Sequence, residues 1–91
     1  MILMKKAAVR IPNETGLHAR PASMLVDMAS SYDSDMEIVY NGRDVNAKSI
    51  MGVMSLGISQ DAEIIIQAKG EDEEEAVAAI VELVEDGFGE E

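Results

Sequence analysis

The sequence contains no cysteine and no tryptophan, and it has only one phenylalanine and two tyrosines among its 91 residues. The absence of cysteine excludes a disulfide framework, thiol catalysis and thiolate metal sites. With so few aromatic side chains, a core must be built from Ile, Val, Leu, Met and Ala. The hydrophobic fraction of 47% is typical of a globular chain. This length predicts a single domain over residues 1–91.

Basic residues and long apolar runs are also scarce. Seven Lys and Arg stand against eighteen Asp and Glu, which gives a formal net charge of −11. Nucleic-acid binding needs a basic surface that releases counterions, so no nucleic-acid partner is expected. No apolar run approaches the roughly 20 residues that span a bilayer, and residues 1–6 lack the order of a secretion signal. We therefore expect a cytoplasmic protein without membrane insertion, whose acidity favours either solubility or steering toward basic partners.

Apolar periodicity and turn residues predict seven regular elements in the order βαββαβα. Strands are expected at residues 6–11, 35–40, 43–46 and 63–68. Helices are expected at residues 19–31, 49–56 and 73–86. Four strands and three helices fit an α+β fold, a two-layer open-faced sandwich. In it, a mainly antiparallel four-stranded sheet carries the three helices on one face.

Three local patterns make further structural predictions. Asn41 and Gly42 both tolerate positive φ and predict a tight hairpin turn. The apolar run at residues 64–66 indicates a strand that is buried on both faces. Asp72 and Glu75 resemble a capping box at the start of the last helix.

His18 is the only histidine in the chain, and it lies at the predicted start of the first helix. Pro21 in the first turn costs no hydrogen bond there, which places His18 at or beside the N-cap. Backbone N–H groups at a helix start attract anions. The positive end of the helix dipole and the nearby Arg20 both disfavour an imidazolium. A neutral ring nitrogen can act as a nucleophile, and the same surroundings would stabilise an attached phosphoryl group.

The residues alone leave three interpretations of His18 open. It is a phosphoryl carrier, part of a fortuitous anion site at a helix start, or an ordinary capping or surface histidine. A lone histidine excludes a multi-histidine metal site, so no metal is expected. No acidic residue near it in the sequence suggests a catalytic triad.

Two segments carry a resemblance to a known family. Residues 16–22, GLHARPA, resemble the active-site signature of the HPr family of histidine-containing phosphocarrier proteins. Residues 48–57, KSIMGVMSLG, resemble the second signature of that family, which surrounds a regulatory serine. The spacing of the two signatures and the expected strand order agree with the family as well.

The resemblance implies a carrier and co-substrate, without enzymatic turnover of its own. Such a protein takes a phosphoryl group from phosphoenolpyruvate through enzyme I and holds it on Nδ1, the pros nitrogen, of the histidine at the position of His18. It then passes the group to the IIA domains of sugar permeases. Arg20 matches the arginine that stabilises the phosphohistidine. The resemblance implies no cofactor in the carrier, since Mg²⁺ belongs to the partner enzymes.

A second site is implied at Ser49, which on the residues alone is an ordinary N-cap. By resemblance, Ser49 is phosphorylated by the ATP-dependent HPr kinase/phosphorylase, and the phosphoserine form binds a catabolite-repression regulator. The alternative function is therefore a regulatory binding protein that acts mainly through phospho-Ser49. The HPr family also has members in a nitrogen-related branch of the phosphotransferase system, whose serine region has diverged. The well-formed segment around Ser49 disfavours membership of that branch.

The resemblance also implies partner contacts along the second helix and the histidine loop. The expected contact residues are Leu17, Ser23, Ile50, Met51 and Met54. For Met51 and Met54, core filling is the alternative to an adaptable contact surface. At this size a monomer is the default expectation.

Overall fold

The computed structural model describes residues 5–89, and the expected element order is present. The strands are β1 (Lys5–Arg10), β2 (Asp35–Tyr40), β3 (Arg43–Asn46) and β4 (Glu63–Lys69). The helices are α1 (Ala19–Ser30), α2 (Ile50–Met54) and α3 (Glu73–Glu85), followed by a short 3-10 helix (Gly87–Gly89). Only α2 departs by more than one residue from its predicted bounds. It is shorter because Ser49, with extended backbone, is the N-cap residue and Ser55 is already the C-cap residue.

The four strands form one sheet in the order β1-β4-β2-β3. All three neighbouring pairs are antiparallel. The β2–β3 hairpin turns at Asn41 and Gly42, whose φ angles are 54° and 79°. Positive φ at both central residues is what a two-residue hairpin turn requires, so the predicted hairpin is confirmed.

The core lies between the helices and one face of the sheet. In β1, β2 and β4, the core-facing side chains are buried and most of the side chains between them are partly or fully exposed, as one-sided burial requires. The buried strand residues include Val9, Met36, Ile38, Ile64 and Ile66. Ile65 is 38% exposed, so the prediction that residues 64–66 are buried on both faces is wrong. The reason is that no helix covers the second face of the sheet within residues 5–89.

The start of α3 differs from the predicted capping box. Asp72 is the N-cap residue, but its side chain makes no capping hydrogen bond. Its carboxylate instead accepts hydrogen bonds from the N–H of Asp33 at 2.9 Å and the N–H of Ser34 at 3.0 Å, and from the Ser34 hydroxyl. The Ser34 hydroxyl, followed by the Asp33 N–H, lowers the pKa of Asp72 below its ordinary value of 3.8. The predicted capping box is therefore wrong, because the Asp72 carboxylate bonds to residues 33 and 34, which are distant in the sequence.

Candidate functional site

A tightly bonded loop leads into α1. The Gly16 N–H donates to the carbonyl oxygen of Asn13 at 3.0 Å, and Nδ2 of Asn13 donates to the carbonyl oxygen of Gly16 at 2.6 Å. The Leu17 N–H donates to the carbonyl oxygen of Ile58 at 3.0 Å. The first two bonds close the loop on itself, and the Leu17 bond holds the residues just before His18 against the segment that follows α2.

Gly16 permits this close approach. Its φ is +67°, a conformation that L side chains rarely adopt. A Cβ atom at this position would lie 2.6 Å from the carbonyl oxygen of Ile58 and 2.8 Å from Cα of Ser59. Only glycine therefore fits here without moving the backbone of one of the two segments.

His18 is the N-cap residue of α1, with extended backbone at φ −80° and ψ −168°. Its carbonyl oxygen accepts the Ala22 N–H at 2.9 Å, while its side chain is exposed and makes no capping hydrogen bond. Arg20 is also exposed, and the first turn of α1 contains no acidic residue. The start of α1 thus combines an accessible imidazole, a guanidinium and the positive end of a helix dipole, which together favour an anion.

Helix α2 presents apolar side chains to solvent. Ile50 is 38% exposed, Met51 80% and Met54 45%. We call these three residues the α2 patch. The helix has five residues, and only Val53 among them is buried. Core filling by Met51 and Met54 is therefore not what the structure shows.

Ser49 begins this helix. Its Oγ accepts a hydrogen bond from the Gly52 N–H at 3.1 Å, which is the expected N-cap geometry. Its side chain is partly exposed. Ser49 therefore combines a structural role with access from solvent.

The residues on either side of α2 contact opposite ends of α1. Near the start of α2, Nζ of Lys48 donates to the carbonyl oxygen of Tyr32 at 2.8 Å, just beyond the end of α1. After α2 ends, Ile58 accepts from Leu17, just before α1 begins. Lys48, the neighbour of Ser49, therefore contacts the end of α1 that is remote from His18, and α1 with its 12 residues is about 18 Å long. In the sequence, the α2 patch directly follows Ser49.

The structure brings most of the predicted site residues to the surface. His18 and Arg20 share the start of α1, and Ser23 is exposed one turn further on. Leu17 is an exception: it is 4% exposed and belongs to the hydrophobic core. Its N–H bonds to the carbonyl oxygen of Ile58. A contact between Leu17 and partners stays a prediction.

One contact near α2 had no sequence signal. The guanidinium of Arg43 donates from Nη1 to the carbonyl oxygen of Ser55 at 3.1 Å and from Nη2 to Oγ of Ser55 at 3.2 Å. The two residues are 12 positions apart and lie on different elements, so no local pattern in the sequence links them.

Residues 5–89 contain no group of three or more His, Asp and Glu side chains placed to hold a metal ion. Over the same part of the chain, no helix has the length and apolar character needed to cross a membrane.

Comparisons with known proteins agree with this geometry. A family model described as "PTS HPr component phosphorylation site" matches residues 5–86. HPr-C-His from Thermoanaerobacter tengcongensis is 50% identical, with a TM-score of 0.93 over 96% of this chain and 98% of that chain. The phosphocarrier protein HPr from Bacillus anthracis is 42% identical, with a TM-score of 0.86 over 89% and 96%. The Bacillus subtilis catabolite-repression protein Crh is 41% identical, with a TM-score of 0.74 over 96% and 97%.

Two of these relatives are dimers in solved structures. The T. tengcongensis HPr has also been solved as a dimer, at 49% identity and a TM-score of 0.74 over 94% of this chain and 99% of that chain. The Crh structure is a dimer with a swapped domain. The expectation of a monomer does not fit these relatives. It rested on chain length, which limits the size of the core but does not determine how surfaces associate.

The family model covers nearly all of the described residues, the fold agrees with the solved relatives, and the signature histidine is exposed at a helix start. We conclude that the chain belongs to the HPr family, the phosphocarrier component of the phosphotransferase system, and is not a catalyst in its own right.

Proposed function

We propose that this domain accepts a phosphoryl group from phospho-enzyme I on His18 and passes it to IIA domains of sugar permeases in the cytoplasm. The observation that carries the proposal is the start of α1. It presents an exposed histidine next to a guanidinium, at a helix end that favours negative charge.

The transfer is a displacement at phosphorus. The lone pair on Nδ1 of neutral His18 attacks the phosphoryl group, and an N–P bond forms as the bond between phosphorus and its donor on enzyme I breaks. The charged oxygens then lie where Arg20 and the N–H groups of the first turn can stabilise them. In the second step a nucleophile of the IIA domain attacks the same phosphorus, the N–P bond breaks, and His18 leaves with its lone pair.

Docking in this proposal uses the α2 patch, with Ser23 at its rim. Methionine side chains adapt to differently shaped partner surfaces, which suits a carrier that meets several proteins in turn. The net charge of −11 adds a long-range attraction toward partners with basic docking surfaces.

Regulation in this proposal occurs by phosphorylation of Ser49 by the HPr kinase/phosphorylase. Gly52 supports access to the hydroxyl, since a Cβ atom there would lie 3.3 Å from Oγ of Ser49. A phosphate beside the α2 patch adds up to about two negative charges. It would repel partners that carry acidic groups at this position. It would also provide a binding site for a catabolite-repression regulator.

The test uses the purified chain, phosphoenolpyruvate, Mg²⁺ and the cognate enzyme I. Intact mass spectrometry is expected to show one added phosphate, which is lost in acid and absent from His18→Ala. A chain that stays unmodified beside an enzyme I proven active on another carrier would contradict the proposal.

The alternative is a regulatory binding protein that acts mainly through phospho-Ser49. One observation favours it: the relative Crh, 41% identical, is described as a catabolite-repression protein. ATP and the serine kinase would then give an acid-stable phosphate that is absent from Ser49→Ala. The two functions separate cleanly if His18→Ala and Ser49→Ala are compared in both reactions.

A further inference from the structure

Helix α2 has too few buried residues to be held by packing alone. Its five residues bury only Val53, because the α2 patch faces solvent. An isolated helix of this length is not stable in water, since tertiary contacts must offset the cost of nucleation. The polar contacts at its two ends therefore matter more than they do in a longer amphipathic helix.

Ser49 caps the start of α2, and Arg43, which lies outside the helix, contacts its end. Arg43 is the first residue of β3 and pairs with Tyr40 in the sheet. Its two terminal nitrogens contact the carbonyl oxygen and the Oγ of Ser55, the C-cap residue. Oγ of Ser55 in turn donates to the carbonyl oxygen of Gly52 at 2.6 Å. This network joins the edge of the sheet to the last turn of the helix.

The charge of Arg43 suits this position. The carbonyl groups at the end of a helix carry partial negative charge, and the last turn of α2 contains no basic residue of its own. A planar guanidinium can reach two acceptors on one residue at fixed angles, whereas an ammonium on a flexible stem cannot fix that geometry. Arg43 therefore restrains the orientation of the last turn, which carries Met54.

We propose that Arg43 is a positioning residue for phosphoryl transfer. It holds the end of α2 so that the α2 patch meets each partner in one arrangement. The inference rests on the proposed carrier function and deepens it. Arg43 does not touch the reacting atoms, so its effect falls on docking and leaves the chemistry at His18 unchanged.

The test measures steady-state transfer from enzyme I to the carrier at varied carrier concentration. Arg43→Gln is expected to raise the apparent KM about 3- to 10-fold, with kcat within about 2-fold, because only binding is weakened. Arg43→Lys should raise the apparent KM less, since lysine keeps the positive charge but lacks the planar guanidinium that reaches two acceptors. Arg10→Gln removes the same charge from β1, at the opposite edge of the sheet, and should leave the KM unchanged.

Amide hydrogen exchange supplies a readout that does not depend on a partner. The N–H groups of Ser55, Leu56 and Gly57 bond to carbonyl groups within α2. In Arg43→Gln these amides should exchange about 10-fold faster or more, while those of β4 keep their native rates.

Three results would overturn the inference: an unchanged KM in Arg43→Gln, a fall in kcat with no rise in KM, or an equal rise in KM in Arg10→Gln. Failure of the carrier function is recognised separately, because the unsubstituted chain would then take no phosphate on His18. Even then the exchange experiment tests the structural part of the inference. Native exchange rates at the end of α2 in Arg43→Gln would show that Arg43 does not hold this helix.

Discussion

The carboxylate of Asp72 accepts hydrogen bonds from both the backbone N–H and the hydroxyl of Ser34, a residue 38 positions earlier. Ser34 is 1% exposed. Gly70 makes the approach possible, since a Cβ atom there would lie 2.6 Å from Oγ of Ser34. This contact ties the start of α3 to the turn between α1 and β2, at the end of α1 remote from His18.

Acid should weaken the hydrogen bonds between the Asp72 carboxylate and Ser34. The pKa of Asp72 is below 3.8, so the ionised carboxylate stabilises the fold above that value, and the contribution is lost as the pH falls through the lowered pKa. Asp72→Asn is expected to be less stable than the native chain at neutral pH. Urea unfolding should show this difference shrinking once the pH falls below about 4. Asp27→Asn, on the exposed face of α1, is the control. A deficit for Asp72→Asn that is the same at every pH would contradict the prediction.

Gly16 and Gly42 offer a matched pair for the loop before His18. Both have positive φ, but a Cβ at Gly16 would collide with the Ile58–Ser59 backbone, whereas nothing lies within 4 Å of one at Gly42. Gly42→Ala should cost about 1 kcal/mol of unfolding free energy for backbone strain. Gly16→Ala should cost about 1–3 kcal/mol more and slow transfer to His18, because the loop must move. Chemical denaturation and a transfer assay measure the two effects. Equal stability losses would show that the close approach does not matter.

Arg20 should act on the phosphorylated state. Arg20→Gln removes a charge-assisted partner of the phosphoryl oxygens while leaving the fold intact, since the side chain is exposed. We expect transfer from enzyme I to fall about 10-fold or more, in line with the loss of a charged hydrogen bond. The rate of phosphate release from His18, followed by intact mass, is expected to rise. Arg10→Gln controls for the change in net charge, and an equal loss in both variants would argue against a local role.

A charge at Ser49 should slow transfer without unfolding the protein. Ser49→Asp keeps an N-cap oxygen and adds a negative charge beside the α2 patch. We expect a lower kcat/KM for transfer through His18 and a near-native unfolding curve. Ser49→Ala separates the two effects, because it removes the cap, at about 0.5–2 kcal/mol, and adds no charge. Native transfer rates for Ser49→Asp would count against the regulatory role.

Two methionines test whether the α2 patch serves binding or stability. Met51 is 80% exposed and Met36 is 2% exposed. Met51→Ala should change the unfolding free energy by less than about 0.5 kcal/mol but raise the apparent KM for transfer. Met36→Ala should cost about 2–5 kcal/mol and leave the KM of the folded fraction unchanged. A native KM for Met51→Ala would show that this side chain takes no part in docking.

The element order was predictable because it rests on local patterns. Alternation in the strands, the helical spacing in α1 and the turn at Asn41 and Gly42 all act within a few residues. The position of His18 at the start of α1 is local in the same sense, since Pro21 suits a first turn.

The wrong predictions concern residues whose partners are distant in the chain. The Asp72 carboxylate bonds to Ser34, which is 38 positions away, and makes no capping bond at the start of its own helix. Ile65 was expected to be buried, but the sheet is covered on one face only, which a continuous apolar run cannot reveal.

The sequence by itself determined the family, the order of the elements and the position of His18 at a helix start, because signatures and periodicity are properties of short segments. The tertiary structure alone decided how the functional parts are held. Which surfaces meet when the chain packs decides three features of the site. These are the hydrogen bond from Leu17 to Ile58, the hydrogen bonds from Arg43 to Ser55 and the exposure of Met51. Packing free energy belongs to the whole chain, and no local pattern records it.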